Sequence, residues 1–387
     1  MSDGEGVSGV HQRTLLFVTV VLLLSIGVVM IYSTSAFFAQ DKFNDSYYFL
    51  KRQALWIGLG LAAFACAVNI DYHHLRTRSL PLLFTSIALL ALVFVPGIGR
   101  TAGGASRWIW LGYFSFQPSE AAKFTLILYM ADVMARKQRQ IEQFWKGLAI
   151  PLALSLLMLG LVIMQPDLGT TVLMALIVVI MLFVAGVRLR LLLPLALAAL
   201  PAIYALVLGS DYRRKRIVAF LNPWADPDGT GFQIIQSFIA LGSGGLTGMG
   251  LAQSRQKFYY LPAAHTDFIF SIIGEELGLI GAGVIVTLFL ILLIMGMTIC
   301  RKAPDFYGHL LALGIVSVIS LQAIINIAVV TGTLPTKGLP LPFISFGGSS
   351  MIVNLFAVGV LMNIGKHMGV DMAIHYLEAH SDRTFRI

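Results

Sequence analysis

The chain has 387 residues, of which 57% are hydrophobic and only 12% are charged. An ordinary soluble domain carries about 25% charged residues, so this composition excludes a water-soluble globular protein and indicates a chain that folds in a lipid bilayer. The net charge of +8 does not indicate nucleic-acid binding, because Lys and Arg lie mostly between the apolar runs and form no single basic face.

Ten apolar runs of the length that crosses a membrane follow one another along the chain. A helix needs about 20 apolar residues to cross the bilayer core, and the first run, which follows Arg13, has about 19. That is longer than the apolar core of a signal peptide, so we expect an uncleaved first helix. The predicted spans are about 14–36, 54–70, 80–96, 118–135, 148–164, 169–186, 191–209, 268–299, 308–331 and 346–365.

These runs predict an all-α integral membrane protein with about ten transmembrane helices, as one polytopic domain over residues 1–387. The eighth run is too long for one straight span. Its first part, 267–278, carries charges and is expected in a cavity or at the membrane interface. The segment 210–267, between helices 7 and 8, is predicted to be one large periplasmic loop that contains an amphipathic stretch at 232–241.

Lys and Arg in the short connections set the predicted orientation. With the N-terminus inside, the cytoplasmic segments contain 14 of these residues, whereas the short outer loops contain 6. Cytoplasmic loops carry the excess of Lys and Arg in membrane proteins, so both termini are expected in the cytoplasm. The polar motifs then cluster on the outer side, where each polar group beside a membrane helix is a functional candidate.

Asp267 lies where the long loop enters the eighth helix, and it has two interpretations. A carboxylate at a helix N-terminus is favoured by the helix dipole, so Asp267 is either a helix cap or a general base at the lip of an apolar cavity. Glu275 follows eight residues later, about 12 Å along a continuous helix, too far for a close acid/base pair. Glu275 and Glu276 are therefore interpreted as structural partners of Arg or Lys, or as cation ligands.

Further motifs supply polar groups on the same side. Lys337 lies in a proline-rich loop, 335–342, and is either a solvated lysine or a contact for an anionic substrate group. Arg107 is a candidate phosphate contact, and the backbone N–H groups of 347–350, at the start of the tenth helix, are candidate donors to an anion. Asp167 is expected to cap the sixth helix, and the basic run 213–216 to form a solvated face or to meet lipid phosphates.

The segment 117–123 is expected to begin the fourth span, with proline in the first turn and a structural pair between Glu120 and Lys123 on one face. Together, five motifs in order resemble the SEDS family (shape, elongation, division and sporulation). They occupy 104–108, 117–120, 165–170, 265–270 and 347–350, and the resemblance extends from about residue 13 to 366. Segments 222–224, 256–262, 274–278 and 335–338 are most similar to the division members, whereas 234–237 and 242–245 are as similar to the rod-shape members.

The resemblance implies a peptidoglycan glycosyltransferase that polymerises lipid II at the periplasmic face, for the septal wall of dividing cells. By analogy Asp267 takes the proton of the attacking sugar hydroxyl, and Lys337 and Arg107 balance the charge of the departing pyrophosphate. A divalent cation, Mg²⁺ or Mn²⁺, is an option at that step, and no organic cofactor is implied. Other predicted substrate contacts are His265, Thr266, Glu275, Ser349 and Gln117.

The resemblance also implies the bacterial inner membrane, at the septum, and a class B penicillin-binding protein, a monofunctional transpeptidase, as partner beside other division proteins. Three rival interpretations remain. A lipid II flippase also fits many helices with broken segments, although the charged motifs lie on one side and the sequence has no inverted repeat. A rod-shape enzyme of side-wall elongation is the second, and a scaffold of the division machinery, for which Asp267 would be dispensable, is the third.

Overall fold

The computed structural model describes residues 3–102, 105–110, 112, 114–140, 143–194, 197, 201, 209, 211–257 and 261–368. This part of the chain is mostly helical, as the apolar runs predict. The helices are α1 (Asp3–Phe43), α2 (Tyr48–Asn69), α3 (His73–Thr77), α4 (Ser79–Leu92), α5 (Pro118–Arg136), α6 (Ala149–Met164), α7 (Leu168–Val184), α8 (Asp211–Leu221), α9 (Phe232–Gly244), α10 (Ile269–Arg301), α11 (Phe306–Val330) and α12 (Gly348–Lys366). A single π-helical segment, Phe144–Leu148, leads into α6.

Nine of the predicted spans each coincide with one of these helices, and the seventh, 191–209, lies mostly outside the described residues. Within the described residues, five helical stretches are long and apolar enough to cross a membrane and two shorter helices are also apolar, so the chain is a multi-pass membrane protein. The five stretches are Val10–Phe43, Phe144–Met164, Ile269–Arg301, Phe306–Val330 and Gly348–Lys366. The count of ten crossings and the cytoplasmic termini stay predictions.

The helix α10 is broken at Gly278, whose φ of 67° and ψ of −167° are not helical. The loop after α9 supplies the hydrogen bonds that the break removes from the helix. Backbone N–H groups of residues 249 and 250 donate to the carbonyls of residues 275 and 276, and those of 279 and 280 donate to carbonyls of 245 and 246. The prediction that this run is not one straight span is therefore confirmed.

The predicted long loop, 210–267, contains the helices α8 and α9, and the amphipathic stretch predicted at 232–241 falls within α9. A small antiparallel sheet, ordered β1-β2-β3, is the element that the all-α prediction missed. Its strands are β1 (Gly99–Ala102), β2 (Ala105–Trp110) and β3 (Ser115–Phe116). The run Trp108-Ile109-Trp110 of β2 consists of the aromatic and β-branched residues that favour strands, and Arg107 lies next to it on the same strand.

The core helix is α11, which contacts α5, α7, α10 and α12 and is buried along most of its length. The close approach of α2 and α12 depends on glycine. A Cβ on Gly60 of α2 would lie 2.5 Å from a methyl carbon of Leu355, and a Cβ on Gly359 of α12 would lie 2.7 Å from the carbonyl oxygen of Phe64. Small residues of this kind let membrane helices pack closely, and here they join α2 to α12.

Candidate active site

Asp267 lies in the turn before α10 and does not cap that helix. The N-cap position is occupied by Phe268, with no side-chain hydrogen bond there, and no described residue donates a hydrogen bond to the Asp267 carboxylate. The carboxylate instead lies against the loop between α11 and α12, where Oδ2 would be 3.0 Å from a Cβ added at Gly338. The helix-cap interpretation of Asp267 is therefore wrong, and a carboxylate without a structural partner remains.

Lys337 immediately precedes that glycine, so the candidate base and the candidate cation of the sequence analysis lie on adjoining loops. Lys337 is half-buried, and burial lowers the pKa of its ammonium group. No described residue hydrogen-bonds to that ammonium group. The N-terminus of α7 supports the loop from the other side, because a Cβ on Gly169 would lie 3.3 Å from Cβ of Lys337.

Two arginines complete the group around Asp267. Arg107 on β2 donates from Nε to the carbonyl of Gln165 at 3.2 Å and from Nη2 to the carbonyl of Pro166, which fixes the sheet to the turn before α7. Arg216 on α8 donates from Nη1 to the carbonyl of Thr336 at 3.1 Å. In the sequence Arg216 is only one member of a basic run. Its contact with Thr336, 120 residues further along the chain, depends on the tertiary fold.

The environment of Asp267 moves its pKa towards neutrality. Burial raises the pKa of the carboxyl group to about 6, although the positive charges of Arg107 and Arg216 act to lower it, and the negative charge of Asp167 acts to raise it. A base with a pKa near the working pH is both largely ionised and able to hold a proton. The surrounding cations suit a phosphate or diphosphate group, whose charge they would offset in a partly desolvated site.

Asp167 has a structural role next to this group. Its carboxylate accepts from the backbone N–H of Thr170 at 3.1 Å and from the Thr170 hydroxyl at 3.0 Å, so it caps α7. The predicted cap is confirmed. With both oxygens engaged within the first turn, Asp167 contributes its charge to the site while Asp267 keeps the unpaired carboxylate.

The structure does not bring Glu275 into this group, which corrects its placement among the substrate contacts. The Glu275 carboxylate is buried and accepts hydrogen bonds from the hydroxyl of Ser254 and, at 2.9 Å, from the backbone N–H of Arg255. Glu276 pairs with Lys257 at 3.1 Å and accepts from the hydroxyl of Ser33 at 2.6 Å. The interpretation as a structural partner of Lys or Arg is confirmed for Glu276, whereas Glu275 is held by a hydroxyl and a backbone N–H.

The remaining predicted contacts lie in the turn before α10, which contains His265 and Thr266, and at the N-termini of α5 and α12, which contain Gln117 and Ser349. His265 packs among aromatic rings, 4.8 Å from Phe49 and 6.0 Å from Phe38 between ring centroids, and burial lowers its pKa to about 4, so the imidazole is neutral. The backbone N–H of Gln117 donates to the hydroxyl of Ser349 at 3.0 Å and joins the N-termini of α5 and α12. Their contact with substrate stays a prediction.

Three consecutive carbonyls of 265–267 each accept a hydrogen bond from outside their own segment. The donors are the N–H of Phe346 to His265 at 3.0 Å, the hydroxyl of Ser345 to Thr266 at 2.6 Å, and the side-chain amide of Asn326 to Asp267 at 2.8 Å. The backbone that carries Asp267 is therefore held tightly, although its carboxylate is not.

A buried polar chain connects the site to the bundle core. Lys123 pairs with Glu120 at 3.0 Å, which confirms the predicted structural pair, and it donates to Oε1 of Gln322 at 2.7 Å. Gln322 in turn donates to the carbonyl of Pro340 at 2.8 Å. Gln322 and Asn326 are functional candidates that the motifs do not include, although two amides inside an apolar span, where polar groups are costly, are a signal in the sequence.

The described side chains do not fit a metal site built by protein ligands alone. No group of three or more His, Cys, Asp or Glu within them is arranged to hold a metal ion. The groups beside Asp267 are mainly cationic, and Asp167 is engaged in its helix cap. We therefore derive no chemical step through a metal, and Arg107, Arg216 and Lys337 supply the positive charge of this site.

Comparison with protein families gives one match, over residues 13–369, to the cell cycle protein family of FtsW, RodA and SpoVE. A probable peptidoglycan glycosyltransferase FtsW of Geobacter metallireducens is 51% identical over 348 residues, which cover 90% of this chain and 93% of that protein. Stage V sporulation protein E of Bacillus subtilis is 48% identical over 353 residues, which cover 91% and 96%.

Two solved structures share the fold. One belongs to a peptidoglycan synthase complex studied for its structural coordination of polymerization and crosslinking, with a TM-score of 0.75, 32% identity, and coverage of 91% of this chain and 96% of the other. The second is the rod shape determining protein RodA of Thermus thermophilus, with a TM-score of 0.67, 28% identity, and coverage of 92% and 96%.

Proposed function

The chain belongs to the cell cycle protein family of FtsW, RodA and SpoVE, and from that premise we propose that it is a peptidoglycan glycosyltransferase that polymerises lipid II. The observation that carries the proposal is the Asp267 carboxylate, which accepts no hydrogen bond from the described residues and lies in the field of Arg107 and Arg216, against the loop that carries Lys337. Relatives named peptidoglycan glycosyltransferase and similar in sequence over most of their length support the same activity.

In the proposed reaction Asp267 is the general base. Its carboxylate takes the proton of a sugar hydroxyl as the hydroxyl oxygen bonds to the anomeric carbon of a second lipid-linked unit. The bond from that carbon to the diphosphate oxygen breaks, and polyprenyl diphosphate leaves with the bonding electrons. A pKa near 6 leaves Asp267 largely ionised at neutral pH and able to accept the proton.

The cationic side chains would act on the leaving group. Negative charge grows on the diphosphate as its bond to the anomeric carbon breaks, and Arg107, Arg216 and Lys337 would stabilise that charge more strongly in a partly desolvated site than in water. Arg107 and Arg216 are already held by backbone carbonyls, so little reorganisation is needed when the substrate binds. His265, Thr266, Gln117 and Ser349 remain proposed substrate contacts.

The division branch is the favoured assignment within the family. Relatives named FtsW are about half identical to this chain, whereas the rod-shape protein is 28% identical. We therefore propose septal wall synthesis in the bacterial inner membrane. A class B penicillin-binding protein is the proposed partner, since the similar structure belongs to a complex that coordinates polymerization and crosslinking.

The test is polymer formation by the purified protein in detergent, with lipid II as the sole substrate, in the presence and absence of its cognate transpeptidase. We expect glycan strands from the wild type and none from a folded Asp267→Asn variant, which keeps the size of the side chain and loses its basicity. Movement of labelled lipid II across vesicles without polymer would favour the flippase instead. Normal polymerisation by Asp267→Asn would remove Asp267 as the base.

A further inference from the structure

Asn326, on the core helix α11, is the side chain that connects the two loops of the site. Its Nδ2 group donates to the carbonyl of Asp267 at 2.8 Å and to the carbonyl of Leu339 at 2.7 Å. The first carbonyl belongs to the candidate base, and the second lies two residues beyond Lys337. Asn326 therefore holds both sides of the Asp267–Gly338 contact from one point on a rigid helix.

The amide group is the chemical feature that this position requires. The Asn326 side chain is 1% exposed. The carbonyls of Asp267 and Leu339 need two N–H donors, and a single primary amide supplies both. Both contacts are to carbonyl oxygens, so the nitrogen has to face them. The Oδ1 atom accepts no hydrogen bond from any described residue, so the contribution of this side chain comes from its NH₂ group.

The neighbouring residues extend the same arrangement. Gln322 lies one turn earlier on α11 and donates to the carbonyl of Pro340, so two amides at helical spacing hold two consecutive carbonyls of the loop. Ser345 bridges the same pair of loops, because its hydroxyl donates to the carbonyl of Thr266 at 2.6 Å and accepts from the N–H of Leu341 at 2.8 Å.

We propose that Asn326 is a positioning residue of the active site, which sets the separation between the Asp267 carboxylate and the Lys337 loop. The inference rests on the proposed polymerase function and adds a residue that touches no reacting atom. Asp267 has no hydrogen bond to its own carboxylate among the described residues, so its orientation is inherited from the backbone that Asn326, Ser345 and Phe346 hold. A displacement of about 1 Å between catalytic groups is enough to lower a rate about 10²-fold.

The chain offers a matched control in Asn363 of α12. This asparagine is equally buried and also bridges two backbone segments, donating to the carbonyl of Val68 at 2.8 Å and accepting from the N–H of Tyr72 at 3.0 Å. It lies at the other end of the helices, beside the connection between α2 and α3. We expect the loss of Asn363 to cost comparable stability and to leave the backbone around Asp267 unchanged.

The experiment compares Asn326→Ala, Ser345→Ala and Asn363→Ala in the full-length protein, with kinetics per folded molecule. We expect kcat to fall about 10²-fold in the first two variants, with KM within a factor of about three, and to stay near the wild-type value in Asn363→Ala. Wild-type kcat in Asn326→Ala, or an equal loss in Asn363→Ala, would overturn the proposal.

Hydrogen–deuterium exchange provides a measurement that does not depend on activity. Exchange in the peptides 261–268 and 336–346 should be faster in Asn326→Ala and unchanged in Asn363→Ala. If the wild type forms no polymer while these peptides loosen as expected, the proposed function fails and the structural link stands. If polymer forms and the peptides exchange as in the wild type, the positioning role alone is refuted.

Discussion

Asp267 and the pair Glu275 and Glu276, eight and nine residues further along the chain, have opposite environments. The Glu275 and Glu276 carboxylates are buried and accept hydrogen bonds from hydroxyl groups, backbone N–H groups and Lys257. The carboxylate of Asp267 is half-buried and receives none from the described residues. Full hydrogen bonding stabilises the fold around the break in α10, whereas an unpaired carboxylate beside cations is available for chemistry.

Removal of Glu276 should have the largest effect on stability. A Glu276→Ala change leaves the buried ammonium of Lys257 without its 3.1 Å partner, and breaking a buried ion pair in this way costs about 3–5 kcal/mol. We expect a large fall in the thermal unfolding temperature in detergent. The double change Glu276→Ala with Lys257→Met should recover part of the loss. An unchanged unfolding temperature in the single variant would show that this cluster does not stabilise the fold.

The pH dependence of polymerisation should report the ionisation of the Asp267 carboxylate. With a pKa of about 6, Asp267 loses its basic form as pH falls below 6, so kcat should decrease about tenfold per pH unit there. Arg107 lowers the pKa of Asp267, so Arg107→Gln should shift the fall of kcat at acidic pH, the acidic limb of the pH–rate profile, to higher pH. The same change should weaken substrate binding. An acidic limb near pH 4 that Arg107→Gln does not shift would contradict the environment assigned to Asp267.

Loss of the cap on α7 should have a moderate effect. In Asp167→Ala the N–H of Thr170 loses its acceptor, which costs about 1 kcal/mol for a typical N-cap. The charge that raises the pKa of Asp267 is removed as well, so the acidic limb should move slightly to lower pH. A thermal melt and a pH–rate profile of one preparation check both effects, and Asp167→Asn, which keeps an acceptor, should retain most of the stability.

The smallest stability effect is expected at Asp267 itself. No described residue hydrogen-bonds to its carboxylate, and burial disfavours its charge, so Asp267→Asn should unfold at or slightly above the wild-type temperature at pH 8. Thermal unfolding of the purified variant measures this. A clear loss of stability would mean that the carboxylate has a structural partner after all.

Local features of the fold follow from the sequence. Apolar length predicts the long helices and also that the eighth run is not one straight span, and residue types at helix starts predict the Asp167 cap and the Glu120–Lys123 pair. Each depends on residues within about two helical turns of one another, where spacing alone fixes which groups meet.

Features that depend on tertiary contact were not predictable. The amide of Asn326 reaches a carbonyl 59 residues away, Arg216 reaches one 120 residues away, and Glu275 meets partners 20 and 21 residues earlier in the chain. The sheet at 99–116 was missed because its strands are short and lie between apolar runs that dominate the pattern. Chain packing, which periodicity does not encode, brings these groups together.

The direct test of the central claim is the polymerisation rate per folded molecule of two isosteric neutral variants, Asp267→Asn and Glu276→Gln, with lipid II as substrate. We predict that Asp267→Asn loses about 10³-fold or more at unchanged stability, as expected for removal of a general base. Glu276→Gln should be less stable but stay within about tenfold of the wild type once corrected for the folded fraction. An active Asp267→Asn beside an inert, folded Glu276→Gln would contradict this account and would place the base in the cluster that we assign to the fold.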